Sequence, residues 1–264
     1  MRIVDSHCHA ALGWYEPVEA LLHQMDRHGV EHAVLIQING QTNNDYQTEC
    51  VRRYPDRLSS VVIVDTDRPE AVRELERLAA EGARGVRLRP GVRSPGDDPL
   101  AIWRAAERLG LAVSCGGSAA DFAAPAFAAL VEAVPSLPIV IEHLGSLNRP
   151  TGDAGEEERL RQVFGLSRFP NVLMKIHGLG EFSQRAMPVK EPFPFEEPIP
   201  PLLELAYAAF GPDRLMWGSD FPPVSGREGY GNALRLTLAQ FAARPEAERE
   251  QIFGGVARTI FRLP

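Results

Sequence analysis

Residues 3–10 read IVDSHCHA, an apolar start that ends in two histidines one residue apart. On a strand, side chains alternate faces, so Asp5, His7 and His9 are expected on one side and Ser6 and Cys8 on the other. Two imidazoles about 6–7 Å apart along one face can share a metal or a substrate. Taken alone, the motif serves equally well as a polar strand end that caps a loop. The rest of the chain has to decide between the two.

Short apolar runs recur from end to end. Strands are expected over 2–9, 32–38, 58–65, 83–90, 111–117, 137–145, 171–178 and 214–220. Between them, apolar residues at i, i+3 and i+4 predict helices over 18–29, 69–82, 98–110, 121–134, 156–167, 199–210 and 229–243, with a closing helix over 246–262. Strand–helix alternation repeated eight times predicts an α/β fold, a (β/α)8 TIM barrel, as one domain spanning 1–264. A doubly wound sheet would carry a glycine-rich phosphate loop after its first strand, and HCHAALGWYEP has none. The least regular stretch, 180–198, holds four prolines and three phenylalanines and reads as a lid or a subunit contact, leaving a homodimer open.

A formal charge of −7 argues against nucleic acid or an anionic membrane surface as the partner, and no apolar run reaches the ~20 residues of a membrane span. Three cysteines without CxxC spacing point to a reducing, cytoplasmic setting rather than a disulfide framework. Cys8 and Cys115 are expected to pack rather than react, since no base stands in register with either.

Barrel chemistry gathers where strands end, at the C-terminal face. His7 and His9 end the first predicted strand, Arg87 and Arg89 the fourth, His143 the sixth, Lys175 and His177 the seventh, and Asp220 the eighth. The first and eighth strands are neighbours in a closed barrel, which brings Asp220 beside the histidine pair. Two imidazoles and a carboxylate suit one divalent ion such as Zn2+, with water in an open position. Arg87 and Arg89 share a face and point inward. One is expected to pair with an acidic group in the barrel, and Arg89, nearer the mouth, to clamp an acidic substrate through its planar fork. Lys175, one layer deeper, is expected in a structural ion pair, and His177 at the mouth against substrate. Trp14 and Tyr15 are expected to wall the site, Asn39 and Gln41 to meet substrate hydroxyls, and Trp217 to face outward into the core.

VDSHCH, IEHLG and RLMWGSDFPP, in that order, together with NVLMKIHG and QIFGGVARTIF, resemble the amidohydrolase superfamily. The similarity is to its amidohydrolase-2 branch of small barrels, which includes lactonases and non-oxidative decarboxylases. The resemblance implies metal ligands at His7 and His9, and a ligand and proton acceptor at Asp220. It implies a ligand or carbonyl-polarising group at His143. Two departures stand out. RLRP lacks the lysine that bridges two metals elsewhere in the superfamily, and VSCGG lacks a histidine common in one-metal members. Some lactonases of the branch also lack that ligand and work without metal.

The expectation is therefore a hydrolase, a lactonase acting on a small acidic or polyhydroxylated lactone. Asp220 would activate water, and His7 and His9 would hold an ion or position the carbonyl directly. A metal-dependent decarboxylase of an aromatic or unsaturated acid is the alternative within the branch. A barrel that only binds a ligand is the alternative outside it.

Overall fold

Eight of the apolar runs form parallel strands: β1 (Ile3–Cys8), β2 (Val30–Ile36), β3 (Leu58–Val62), β4 (Gly85–Leu88), β5 (Ala112–Cys115), β6 (Ile139–Ile141), β7 (Val172–Ile176) and β8 (Leu215–Trp217). They pair in chain order. The computed structural model describes residues 1–148 and 152–264. The chain just past β8 closes the ring: Asp220 N–H donates to the His7 carbonyl at 2.8 Å, and His9 N–H donates to the Phe221 carbonyl at 2.8 Å. A parallel bridge joins Cys8 and Phe221. Gly218 permits this approach, because a Cβ there would lie 2.6 Å from the His7 Cβ. The molecule is a (β/α)8 TIM barrel, as the strand–helix alternation predicts.

The outer ring comprises α1 (Val18–His28), α2 (Asp45–Arg53), α3 (Ala71–Ala80), α4 (Ala101–Arg108), α5 (Ala119–Ala123), α6 (Pro125–Ala133), α7 (Glu156–Phe164), α8 (Leu202–Phe210) and α9 (Tyr230–Gln240). The chain ends with α10 (Glu246–Glu250) and α11 (Val256–Phe261), joined by a π-type turn over 251–255. Helix α2 escapes the periodicity reading, since only Gln47 and Cys50 of its nine residues are buried. The helix expected over 121–134 is two helices, because Pro125 cannot donate into the preceding turn and instead starts α6. No helix among the described residues is long and apolar enough to cross a membrane.

Alternation along the strands builds two cores. Outward residues such as Cys8, Leu35, Val113, Ile141, Met174 and Trp217 pack against the helices. Inward residues Val4, Val61, Ala112, Val140, Leu173 and Met216 fill the lower barrel, which α11 plugs with Val256, Ala257 and Phe261. One layer higher the interior turns polar, with Arg87 on β4, Ser114 on β5, Glu142 just past β6 and Lys175 on β7. This charged layer is the floor beneath the strand ends.

Candidate active site

Strand β1 is not regular. Its pairing with β2 runs from Asp5 opposite Ala33 to Cys8 opposite Leu35, so three steps on one strand match two on the other. The extra residue breaks the alternation. Asp5 therefore does not share the face of His7 and His9, as strict alternation would have it. Its buried carboxylate accepts from Ser219 N–H at 2.8 Å, Ser219 Oγ at 2.6 Å and Tyr230 OH at 3.0 Å, on the helix side. Asp5 thereby fastens the GSD turn to β1 and sets the place of Asp220.

The strands expected to reach His143 and Asp220 stop short, at Ile141 and Trp217. Both residues sit in turns with left-handed backbone, φ 51° and 57°. Non-glycine residues seldom adopt it, and such strain clusters at functional sites. The turns aim both side chains across the mouth.

Four imidazoles meet there. The His7 ring centroid lies 5.0 Å from His9, 4.9 Å from His143 and 5.2 Å from His177. Asp220 Oδ1 stands 3.5 Å from His9 Nε2 and 3.9 Å from His7 Nε2. Its other oxygen accepts from Arg227 at 2.9 Å. Burial pushes the Asp220 carboxyl up, but the His9 contact and the charges of His143 and His177 outweigh it and hold it well below the usual carboxylate range. The Glu181 carboxylate meets His143 Nδ1 at 2.9 Å. Burial disfavours charge on His143, yet Glu181 overcomes it and raises the imidazole above its ordinary value.

Sequence reading misses two of these groups. Glu181 opens the 180–198 stretch, whose tip folds back through an Arg185–Phe195 antiparallel bridge, and Arg227 follows β8 in a loop. Neither lies on a periodic element. The half-buried guanidinium of Arg227 faces Asp220, Glu181 and Glu228 together, at 2.9, 3.6 and 3.6 Å.

Other expectations divide. Arg87 forks onto Glu142 at 2.7–3.0 Å inside the barrel, while Arg89 lies past the end of β4 and is exposed. His177 is corrected from a mouth position. It is 1% exposed and stacks behind His143 at 4.2 Å, and burial pushes its imidazole down to about 4. Lys175 makes no direct ion pair among the described residues; it reaches Glu142 through Ser114. Trp14, 77% exposed, and Tyr15 line a cavity of about 660 Å³ together with Asn39, Gln41 and Asp220. An adjoining cavity of about 560 Å³ holds Arg89 and shares Arg87 and His143 with the first. A larger cleft of about 750 Å³ on the α1–α9 flank is lined by neither Asp220 nor the four clustered histidines. Cys8 and Cys115 are buried, and burial pushes both thiols up, as befits packing residues.

Donor atoms of His7, His9 and Asp220 lie within 4.8 Å of one another, close enough to share one ion. The ring of His9 is prepared for this: its Nδ1 meets the Ile36 carbonyl at 2.7 Å and so carries the proton, leaving a lone pair on Nε2. That lone pair faces a carboxylate oxygen, and a cation between two acceptors would satisfy both. His7 Nε2 is buried without a hydrogen-bond partner among the described residues. The donor set fits a divalent ion.

Residues 4–263 match the model of the family described as Amidohydrolase, in its second group. The 4-sulfomuconolactone hydrolase of Rhizobium radiobacter is 27% identical over 228 residues, 83% of this chain and 69% of that protein. The uncharacterized protein y4mH of Sinorhizobium fredii is 30% identical over 141 residues, 52% of this chain and 43% of its own length. A Pseudomonas putida protein proposed to be a 2-pyrone-4,6-dicarboxylic acid hydrolase superposes with a TM-score of 0.74 at 25% identity, covering 99% of this chain and 98% of that one.

Proposed function

The chain belongs to the amidohydrolase-2 family, and on that premise we propose that it is a lactonase, opening a small lactone that bears a carboxylate or several hydroxyls. The observation that carries this reading is the placement of Asp220 and His143 on one cavity, with Arg227 bound to the first and Glu181 to the second. Ring opening needs a base for water and an acid for the leaving oxygen. Asp220 Oδ1 takes the proton of the attacking water while Arg227 holds Oδ2. The new bond joins water oxygen to the carbonyl carbon, and the ring C–O bond breaks. His143, whose Nδ1 is held by the Glu181 carboxylate and whose imidazole that carboxylate raises above its ordinary value, gives a proton from Nε2 to the departing oxygen. The product is a hydroxy acid, which ionises and releases one proton to solvent.

Arg89 stands in the adjoining cavity, where its planar fork suits a substrate carboxylate. The likeness to 4-sulfomuconolactone hydrolase supports an anionic lactone as the substrate class. A divalent ion such as zinc, held by His9 Nε2, Asp220 Oδ1 and His7 Nε2, would lower the pKa of a bound water toward about 7.

The test is proton release and product analysis on a panel of sugar-acid and dicarboxylate lactones, with neutral lactones as controls. Hydroxy-acid formation favouring the acidic members is the expected result. No ring opening across the panel, with carbon dioxide released from aromatic acids instead, would overturn the reading in favour of decarboxylation.

A further inference from the structure

The polar floor of the barrel forms a chain of hydrogen bonds whose direction can be worked out link by link. Glu142 is buried and bound by the Arg87 fork; burial pushes its carboxyl up, but Arg87 and Lys175 hold it well below the usual range. An ionised carboxylate only accepts. The 2.7 Å contact from Ser114 Oγ to Glu142 therefore uses the hydroxyl proton. Ser114 has no second proton, so its 2.8 Å contact with Lys175 Nζ requires the lysine to donate. Lys175 is fully buried above the Phe261 ring, and its ammonium has Ser114 Oγ and His7 Nδ1 as hydrogen-bond partners among the described residues.

The same ammonium lies 3.1 Å from His7 Nδ1. An ammonium has protons and no lone pair, so that ring nitrogen must accept. A proton on Nδ1 as well would point at the ammonium with no acceptor between them, so His7 is neutral. A neutral imidazole that accepts at Nδ1 carries its one proton on Nε2. That Nε2 is buried, has no hydrogen-bond partner among the described residues, and faces the Asp220 side of the site.

We propose that Lys175 is a positioning residue: held by Ser114 and Glu142, it locks His7 in the Nε2–H form, so that resting His7 offers a proton to the site rather than a lone pair. His9 is held in the opposite form by the Ile36 carbonyl. The two neighbouring histidines thus differ in kind, one a donor and one an acceptor. Two consequences follow. In the metal-free protein His7 is ready to donate to the substrate's carbonyl oxygen, a role that rests on the lactonase reading. For an ion to bind at His7 Nε2, that proton would pass to solvent while Nδ1 takes one from the Lys175 ammonium, so Lys175 weakens metal binding at this site.

The experiment reads the tautomer directly, without substrate. The full-length, chelator-treated protein is labelled with 15N-histidine, and His7 is assigned by difference from His7→Asn. The expected spectrum shows His7 with bare Nδ1 and protonated Nε2, and His9 with the reverse. A proton on His7 Nδ1 in the wild type overturns the proposal, whatever the lactonase assays give. Calorimetric zinc titration of Lys175→Met supplies the second reading, with tighter binding than wild type by about tenfold or more expected. Unchanged or weaker zinc binding by a folded variant overturns the metal arm. If the variant does not fold, the wild-type spectrum alone decides the tautomer.

Discussion

Asp220 meets His7 across the barrel seam: its amide donates to the His7 carbonyl at 2.8 Å, which leaves its carboxylate Oδ1 3.9 Å from the His7 ring. Closure of the fold and assembly of the site are thus one event. Asp5 makes the same link from the other side through Ser219, so the three acidic, hydroxyl and imidazole groups of the seam cannot shift independently.

Arg227 governs the base. Its 2.9 Å hydrogen bond to Asp220 stabilises the charged carboxylate, so Arg227→Met is expected to raise the Asp220 pKa. A raised base pKa moves the acidic limb of kcat/KM to higher pH. Loss of one charged hydrogen bond, about 1.5–3 kcal/mol, corresponds to a fall in kcat/KM of about 10- to 100-fold. A pH–rate profile with an unmoved acidic limb would remove Arg227 from this role.

The two arginines of RLRP should behave oppositely. Arg87→Met leaves Glu142 charged and buried, and is expected to cost about 3–5 kcal/mol in urea unfolding. Arg89 is exposed at the mouth, so Arg89→Met should change stability by less than about 0.5 kcal/mol. Its effect should appear instead as a rise in KM confined to acidic lactones. Equal effects on acidic and neutral substrates would show that Arg89 does not bind the carboxylate.

Stability should fall in acid through His32, away from the site. Its Nε2 meets Ser59 Oγ at 3.0 Å and its Nδ1 the Asp56 carbonyl at 3.2 Å, an arrangement that suits the neutral ring. Burial pushes its pKa down to about 4. The unfolded chain therefore binds a proton near pH 6.5 that the folded chain refuses until about pH 4, and stability is lost as pH falls through that window. The full shift corresponds to at most about 3 kcal/mol. Denaturation midpoints of wild type and His32→Gln between those pH values check this, and equal slopes for the two proteins would refute it.

The barrel and most of the mouth were legible because alternation and helical period depend on which residues are apolar, and the strand ends carry uncommon side chains. His7, His9, His143 and Asp220 converge as expected, although His143 and Asp220 sit in turns past the ends of their strands. The bulge that turns Asp5 outward was not legible, since nothing in VDSHCH marks an extra residue in the ladder. Glu181 and Arg227 lie on irregular loops, where no period assigns a facing direction, and only the folded chain brings them to His143 and Asp220. His177 has the right spacing for the mouth, but the turn after β6 lays His143 over it.

Asp220→Asn tests the central claim most directly. Asparagine is near in shape and tolerates the left-handed backbone at this position, so the fold and its Tm should be nearly unchanged. Proton release from the best acidic lactone, wild type against Asp220→Asn, with and without chelator, should show a loss of about 10²–10⁴-fold in the variant. A folded variant that retains most of the wild-type rate would contradict Asp220 as the base, and with it the account of the site.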